Sequence, residues 1–306
     1  MSDTRRLTEI FKHGSTWLKA DFHLHTRSDK QFTYLGEENE FIKDYVAKLK
    51  EASINVGVIT NHNKFNRDEF VNLRKKALRE EVMLLPGVEL SVNDGSNGIH
   101  TLVVFSDEWL EDGHDYINSF LSVAFEGKTP TQYEQEDGKS ALSLLDTIKK
   151  LDGYSRDYFL LFAHVEDRSG LWDGLEGGRL SELATSAAFR KRTLGFQKVR
   201  THDVEKRPCR TKVQHWLGGW YPAEVEGSDN KSIDDIGART FVTWIKMGDF
   251  TYEAVKYALT DATNRVRSSK PERYQHSHIR SISFEGGTLN GQTIHFSPEL
   301  NTFIGI

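Results

Sequence analysis

The chain has 306 residues, 28% of them charged and 37% hydrophobic, with a formal net charge of −5 at pH 7. That composition is ordinary for a globular protein, and its mild acidity argues against a domain that coats nucleic acid by bulk charge, though a local basic groove stays open. No apolar run approaches the ~18 residues of a membrane span, the first twelve residues lack the apolar core of a signal peptide, and Cys209, the single cysteine, excludes an internal disulfide or thiolate cluster, so a reducing cytoplasm is expected.

Short β-type runs alternate with helix-type segments, the pattern of a sheet with crossover helices. The length suits one α/β barrel of ~250 residues with a short appendage. In chain order, residues 17–23 read as a strand and 38–52 as a helix, with Phe41, Ile42, Tyr45, Val46 and Leu49 at three-to-four spacing. Residues 54–60 read as a strand and 67–80 as a charged amphipathic helix. Strands follow at 82–92 and 99–105, then helices at 114–125 and 141–151 with a polar loop between them. Residues 158–163 form a buried strand, and 171–192 are Gly-rich at first, then helix-compatible. Strands are expected at 196–199, 221–225 and 241–245, and a late helix at 251–259. From Ser281 onward the character becomes β-type with Gly-rich turns (282–284, 292–296 and 300–306), and the chain stops as if cut in mid-strand. A division at residue 270 separates the barrel from this β-rich extension.

The chemistry gathers at strand ends. Asp21-Phe22-His23-Leu24-His25-Thr26 places two histidines one residue apart, so both project from one side of a strand and form half a shell for a divalent metal. His62 follows an apolar run, Glu89 sits within one, His100 opens a strand, His164 closes another, and Asp229 follows a third. In a parallel barrel the C-terminal strand ends share one face, where loops build the site. A carboxylate such as Glu89 is costly to bury unpaired. A mixed His/Asp/Glu set suits Zn²⁺, Mn²⁺ or Fe rather than Ca²⁺. His13, His114, His202, His215, His276, His278 and His295 lack this context and read as surface or packing residues.

The ordered blocks "DFHLHT", "ITNHN", "PGVEL", "IHTLVVF", "LFAHV" and "GSDNK" together resemble the PHP (polymerase and histidinol phosphatase) family, over roughly residues 18–265. The resemblance implies a distorted seven-stranded (β/α) TIM-like barrel holding two to three divalent ions. Its metal ligands would be His23, His25, Asp29, His62, Glu89, His100, His164 and Asp229, with Asp29, Asp229 and Lys231 in catalytic roles. The chain departs from the family pattern at Asn61, where the pattern has Asp, and at Lys231, where it has a final His. Both positions bear on how many ions are held. The segments "LGFQKVRT", "SDNKSIDDIG", "FVTWIK" and "LNTFIGI" further resemble TrlF-type proteins, in which a PHP domain precedes an AAA/SMC-like ATPase. That resemblance implies a C-terminal ATPase partner, ATP only in the missing part, and a setting in DNA repair or phage defence.

The expected activity is metal-dependent phosphoester hydrolysis, with nucleic acid as the substrate class. Between Arg190 and Lys212 stand nine Lys/Arg against two acids, a composition open to nucleic-acid contact or to a solvated face. Lys231 can neutralise a phosphate instead of ligating a metal. Two rival readings are a catalytically degenerate module that positions the ATPase, and an amidohydrolase in which a carbamylated lysine, Lys198 being the nearest candidate, holds the metal. Homo-oligomerisation stays open.

Overall fold

The computed structural model describes residues 9–111, 113–135, 138–200, 209–272, 276–299 and 301–302. Nine strands among them form one sheet: β1 (Thr16–Leu24), β2 (Val56–Ile59), β3 (Met83–Val92), β4 (Ile99–Phe105), β5 (Tyr158–Phe162), β6 (Thr193–Gln197), β7 (Ala223–Val225), β8 (Thr243–Met247) and β9 (Val266–Arg267). Their spatial order is β7-β6-β5-β4-β3-β2-β1-β8-β9. The sheet curls back on itself. Past the end of β7, Glu226 O accepts from Phe22 N (3.2 Å) and Asp229 N donates to His23 O (2.8 Å), joining the last barrel segment to the first strand. The result is a nearly closed α/β barrel.

Alternation along the strands separates two apolar layers. Leu18, Ala20, Phe22, Val56, Val58, Leu85, Leu102, Val104, Phe159 and Leu161 pack together as one buried cluster. Their strand neighbours Leu84, Val103, Leu160 and Phe162 join a second cluster with helices Phe41–Glu51, Arg67–Leu78, Tyr116–Ala124 and Leu144–Asp152. The first cluster is the barrel interior and the second the seam between sheet and helices, as a period-two strand buried on both faces requires. Helix Tyr252–Thr260 contributes Tyr252, Val255, Ala258 and Leu259 to the buried interior cluster, so it plugs the end of the barrel. Its start is fixed by the Thr251 side chain, which accepts from Ala254 N.

Most predicted elements appear within a few residues of their expected ends, but three findings differ. The sheet is not all-parallel: β4 runs antiparallel to β3 and β5, and β8 antiparallel to β1 and β9. Two polar stretches hold helices that periodicity missed, Pro130–Tyr133 and Arg210–Trp216, both short and therefore weakly patterned. Segment 171–192 resolves into three helices, Leu171–Gly174, Gly177–Thr185 and Ala187–Arg192. Of the β-type tail, Ser281–Ser283 and Thr293–His295 pair as an exposed antiparallel hairpin, while the expected strand 300–306 lies almost wholly outside the described residues.

Tyr252 is 2% exposed, and its hydroxyl has no hydrogen-bond partner among the described residues. Removing an unsatisfied buried hydroxyl while keeping the ring relieves a desolvation penalty of ~1 kcal/mol, so Tyr252→Phe should raise the denaturation midpoint. Tyr252→Ala empties the plug and should cost about 3–5 kcal/mol. Chemical denaturation of the two variants side by side checks both signs.

Candidate metal centre

A break in β1 sets up the site. Residues Leu18, Ala20 and Phe22 face the interior, yet Leu24 belongs to the outer cluster. The pairing of β1 with β2 shifts register between Asp21 and Leu24, and the shift turns the odd-numbered His23 and His25 inward at the barrel mouth. Three residues beyond β2, His62 is bridged to Glu89 of β3. His100 reaches the same mouth from the start of β4 because that strand is reversed. His164 follows β5 and Asp229 follows β7, each in a left-handed conformation (φ 27° and 49°) that a non-glycine residue adopts at a cost of about 1–3 kcal/mol.

These residues converge on Glu89, which is 1% exposed. Its Oε2 lies 2.8 Å from His23 Nε2, 3.0 Å from His62 Nε2 and 3.4 Å from His25 Nε2. Its Oε1 lies 2.8 Å from His100 Nδ1 and 3.3 Å from His164 Nε2. Three groups have ligand atoms within 4.8 Å of one another: His23, His25 and Asp229; His25, His62 and Glu89; Glu89, His100 and His164. Every predicted ligand but Asp29 falls in one of them. Asp29 sits at the same place, but its Oδ2 is engaged by His62, accepting from the backbone N (2.7 Å) and facing Nδ1 (2.8 Å).

Proton placement shows what the cluster lacks. Gln197 Oε1 accepts from His164 N (3.3 Å) and faces His23 Nδ1 (2.8 Å), so His23 carries its proton on Nδ1. The Asp29 carboxylate, an acceptor only, likewise puts the His62 proton on Nδ1. With Nδ1 protonated, each ring in its neutral form would aim an Nε2 lone pair at a carboxylate oxygen, so either a second ring proton or a cation must sit between them. Both ring nitrogens of His25 and Nδ1 of His164 are buried without hydrogen bonds; His25 has carboxylate oxygens at 3.1 and 3.4 Å, out of alignment. A divalent ion resolves this nitrogen-rich, oxygen-poor excess, and the donor set fits Zn²⁺, Mn²⁺ or Fe.

Electrostatics follow the same pull. Burial alone would raise the pKa of Glu89, but His23, His62 and His100 outweigh it and hold the carboxyl well below the usual range. Asp229 and Asp29 are driven the same way, burial being overcome by His23 and His25 at Asp229 and by His25 and His62 at Asp29. Burial depresses His25. At His23 burial also acts downward, yet Glu89 and Asp229 carry the ring above its ordinary value, and Glu89 with Asp29 does the same at His62.

A polar frame that motif reading did not reveal holds the ligands. Asp21 Oδ1 accepts from Ser228 N (2.9 Å) and His23 N (3.1 Å), and Asp21 also takes the Ser228 hydroxyl, tying the Asp229 loop to β1. Asn230 Oδ1 accepts from His25 N (2.8 Å), and Asn61 Oδ1 accepts from Thr26 N (2.8 Å). Asn61 thus serves the backbone after the His-x-His, and its Nδ2 donates to Thr26 Oγ1 (2.9 Å), a bond that a carboxylate at this position could not make. A Cβ on Gly227 would run into Cβ and N of His23. Gln197 is fully buried in an apolar strand context, the one signal that would have marked it.

Two lysines meet Asp229. Lys231 Nζ lies 3.1 Å from its Oδ1, and Lys198 Nζ lies 2.8 Å from its Oδ2. Unmodified Lys198 is thus placed to pair with Asp229 as an ammonium. Part of the basic run is neutralised: Arg192 pairs with Asp152 and Asp157, Arg200 with Glu226, and Arg210 with Glu224; residues 201–208, including His202, lie outside the described residues. The other described histidines stand apart, His13 against His295 and His276 against His278. Cys209 is buried and free, and no helix among the described residues is long and apolar enough to cross a membrane.

No family model and no curated protein matches the chain. Among solved structures, it is similar to the lesion-specific endonuclease PfuEndoQ from Pyrococcus furiosus, at TM-score 0.50 and 14% identity, covering 82% of this chain and 57% of that one. The likeness is one of fold. The chain spans little more than half the length of that protein. It also aligns with a putative metal-dependent phosphoesterase from Bifidobacterium adolescentis (TM-score 0.48, 14% identity, 79% and 95% covered) and an amidohydrolase from Chromobacterium violaceum (TM-score 0.46, 14% identity, 71% and 89% covered). The barrel assignment rests on the strands and on the first of these.

Gln197→Leu should lower metal affinity by roughly 10–100-fold, because His23 loses the partner that fixes its tautomer; titration of the apo chain with Zn²⁺ or Mn²⁺ measures it. Gly227→Ala should lower affinity for a different reason, by pushing the Asp229 loop off His23. Circular dichroism should show the barrel intact in both.

Proposed function

We propose that the chain is a divalent-metal-dependent phosphoesterase of the PHP type that hydrolyses nucleic-acid phosphodiesters. The observation that carries this is the convergence of five imidazoles on the buried Glu89 carboxylate, with Asp229 beside them at the mouth. His23, His25, His62, Glu89, His100, His164 and Asp229 would hold two to three ions. Bound divalent ions supply Lewis acidity and a water-derived nucleophile at neutral pH.

The chain's own groups divide the remaining work. Glu89 spans all five imidazoles and fixes the spacing of the neighbouring ligand groups. Asp29 orients His62 through its two N–H groups. The Asp229 side chain is 17% exposed against 1% for Asp29, so Asp229 is the carboxylate placed to meet incoming water and substrate. The reversed β4 and the plug at the far end leave the mouth as the place for a phosphate to enter.

The nucleic-acid choice is supported by the fold likeness to a lesion-specific endonuclease and by the resemblance to TrlF-type proteins. That second resemblance extends the reading to an AAA/SMC-like ATPase partner, a cytoplasmic setting, and a role in DNA repair or phage defence.

The purified chain should carry a first-row divalent metal by elemental analysis and cleave a nucleic-acid substrate in Mn²⁺ or Zn²⁺. The double variant His23→Ala/His25→Ala should lose both metal and cleavage while keeping its secondary structure. Hydrolysis that survives that double substitution would reject the site.

A further inference from the structure

We infer that Lys198 and Lys231 form the subsite for the non-bridging oxygens of the substrate phosphate, with Asp229 as the carboxylate that holds both ammonium groups in place. This deepens the phosphoesterase reading and rests on it.

One carboxylate carries two ammoniums here, Lys198 on Oδ2 at 2.8 Å and Lys231 on Oδ1 at 3.1 Å. Among the described residues neither lysine has another ion-pair partner, so Asp229 and its two lysines, taken together, carry one positive charge in excess. One lysine would neutralise Asp229; the second is in surplus. The contrast with the nearby arginines is direct, since Arg192 meets two aspartates, and Arg200 and Arg210 each meet a glutamate along both guanidinium arms.

Backbone geometry presents the pair. Lys198 follows β6 immediately and has φ 60°, while Asp229 has φ 49°. Both are left-handed positions filled by residues other than glycine, conformations that persist where surrounding contacts enforce them. Lys231 is pinned on both sides of its peptide, its N donating to Asp235 Oδ2 (3.1 Å) and its O accepting from Thr33 N (2.7 Å). Its side chain is 40% exposed and that of Lys198 19%, so both are accessible from solvent beside the buried ligands. An ammonium is a compact point charge whose rotatable donors meet phosphate oxygens from any direction. Set next to the His23, His25 and Asp229 group, the two would seat a phosphate with its phosphorus facing the ligand cluster.

The test is calorimetric titration of the Mn²⁺-loaded whole chain with inorganic phosphate, with elemental analysis of every sample. Lys198→Ala and Lys231→Ala should each weaken phosphate binding at least ~10-fold, the effect of losing one charge-assisted hydrogen bond, with metal content no lower than wild type. Lys198→Arg should recover part of the affinity. Unchanged phosphate affinity in both alanine variants would overturn the subsite. So would a fall in phosphate affinity matched by a fall in metal content, since the lysines would then support the ion rather than the anion. A wild-type chain that binds phosphate through these lysines yet takes up no metal would leave the subsite standing and remove the metal-dependent reading.

Discussion

A single buried carboxylate, Glu89, sets the terms for this molecule. An ionised group 1% exposed within a strand buried along its whole length is stable only if positive charge or hydrogen-bond donors surround it. A carboxylate offers about four acceptor sites, and five ring nitrogens lie within 3.4 Å of its oxygens. With His23 and His62 placed by Gln197 and Asp29 to carry protons on the far nitrogen, the nitrogen facing Glu89 must hold either a second proton or a cation. Each of the other features at the mouth either bears on that requirement or holds the groups that create it.

The frame works by giving backbone amides to side chains instead of to the sheet. Where β1 leaves its ladder, Asp21, Asn61 and Asn230 collect the N–H groups of His23, Thr26 and His25. The departure from regular pairing that would otherwise strand buried amides is thereby compensated, and the histidines gain positions that an unbroken strand would deny them. Two lapses from the family pattern take on separate meanings in this light. Asn61 is part of the scaffold, while Lys231 presents an ammonium to Asp229 at the mouth.

Much of this was legible in the residues. That these side chains would meet could be read because metal-binding types are rare on apolar strands, and the ordered spacing from His23 to Asp229 survives in a linear string. Strand direction was not legible: His100 was read at a strand start in a parallel barrel, where it would have faced the wrong end, and only the reversal of β4 reconciles the two. The facing of His23 and His25 depended on a register shift that alternation alone does not announce. Gln197 and Asp21 were missed because their roles are relational. A glutamine bonded to an imidazole 174 positions away shows in the sequence only as a polar residue at the end of an apolar strand. Lys198 was noticed for a chemistry other than the ion pair to Asp229.

The helix Tyr252–Thr260 stoppers the lower end of the barrel with Tyr252, Val255, Ala258 and Leu259, the tyrosine ring stacked on Phe159 at 5.4 Å between centroids. With that floor filled by apolar side chains, the chain's buried polar groups are confined to the opposite end of the barrel, where the partly exposed Asp229 and its two lysines are the cluster's contact with solvent.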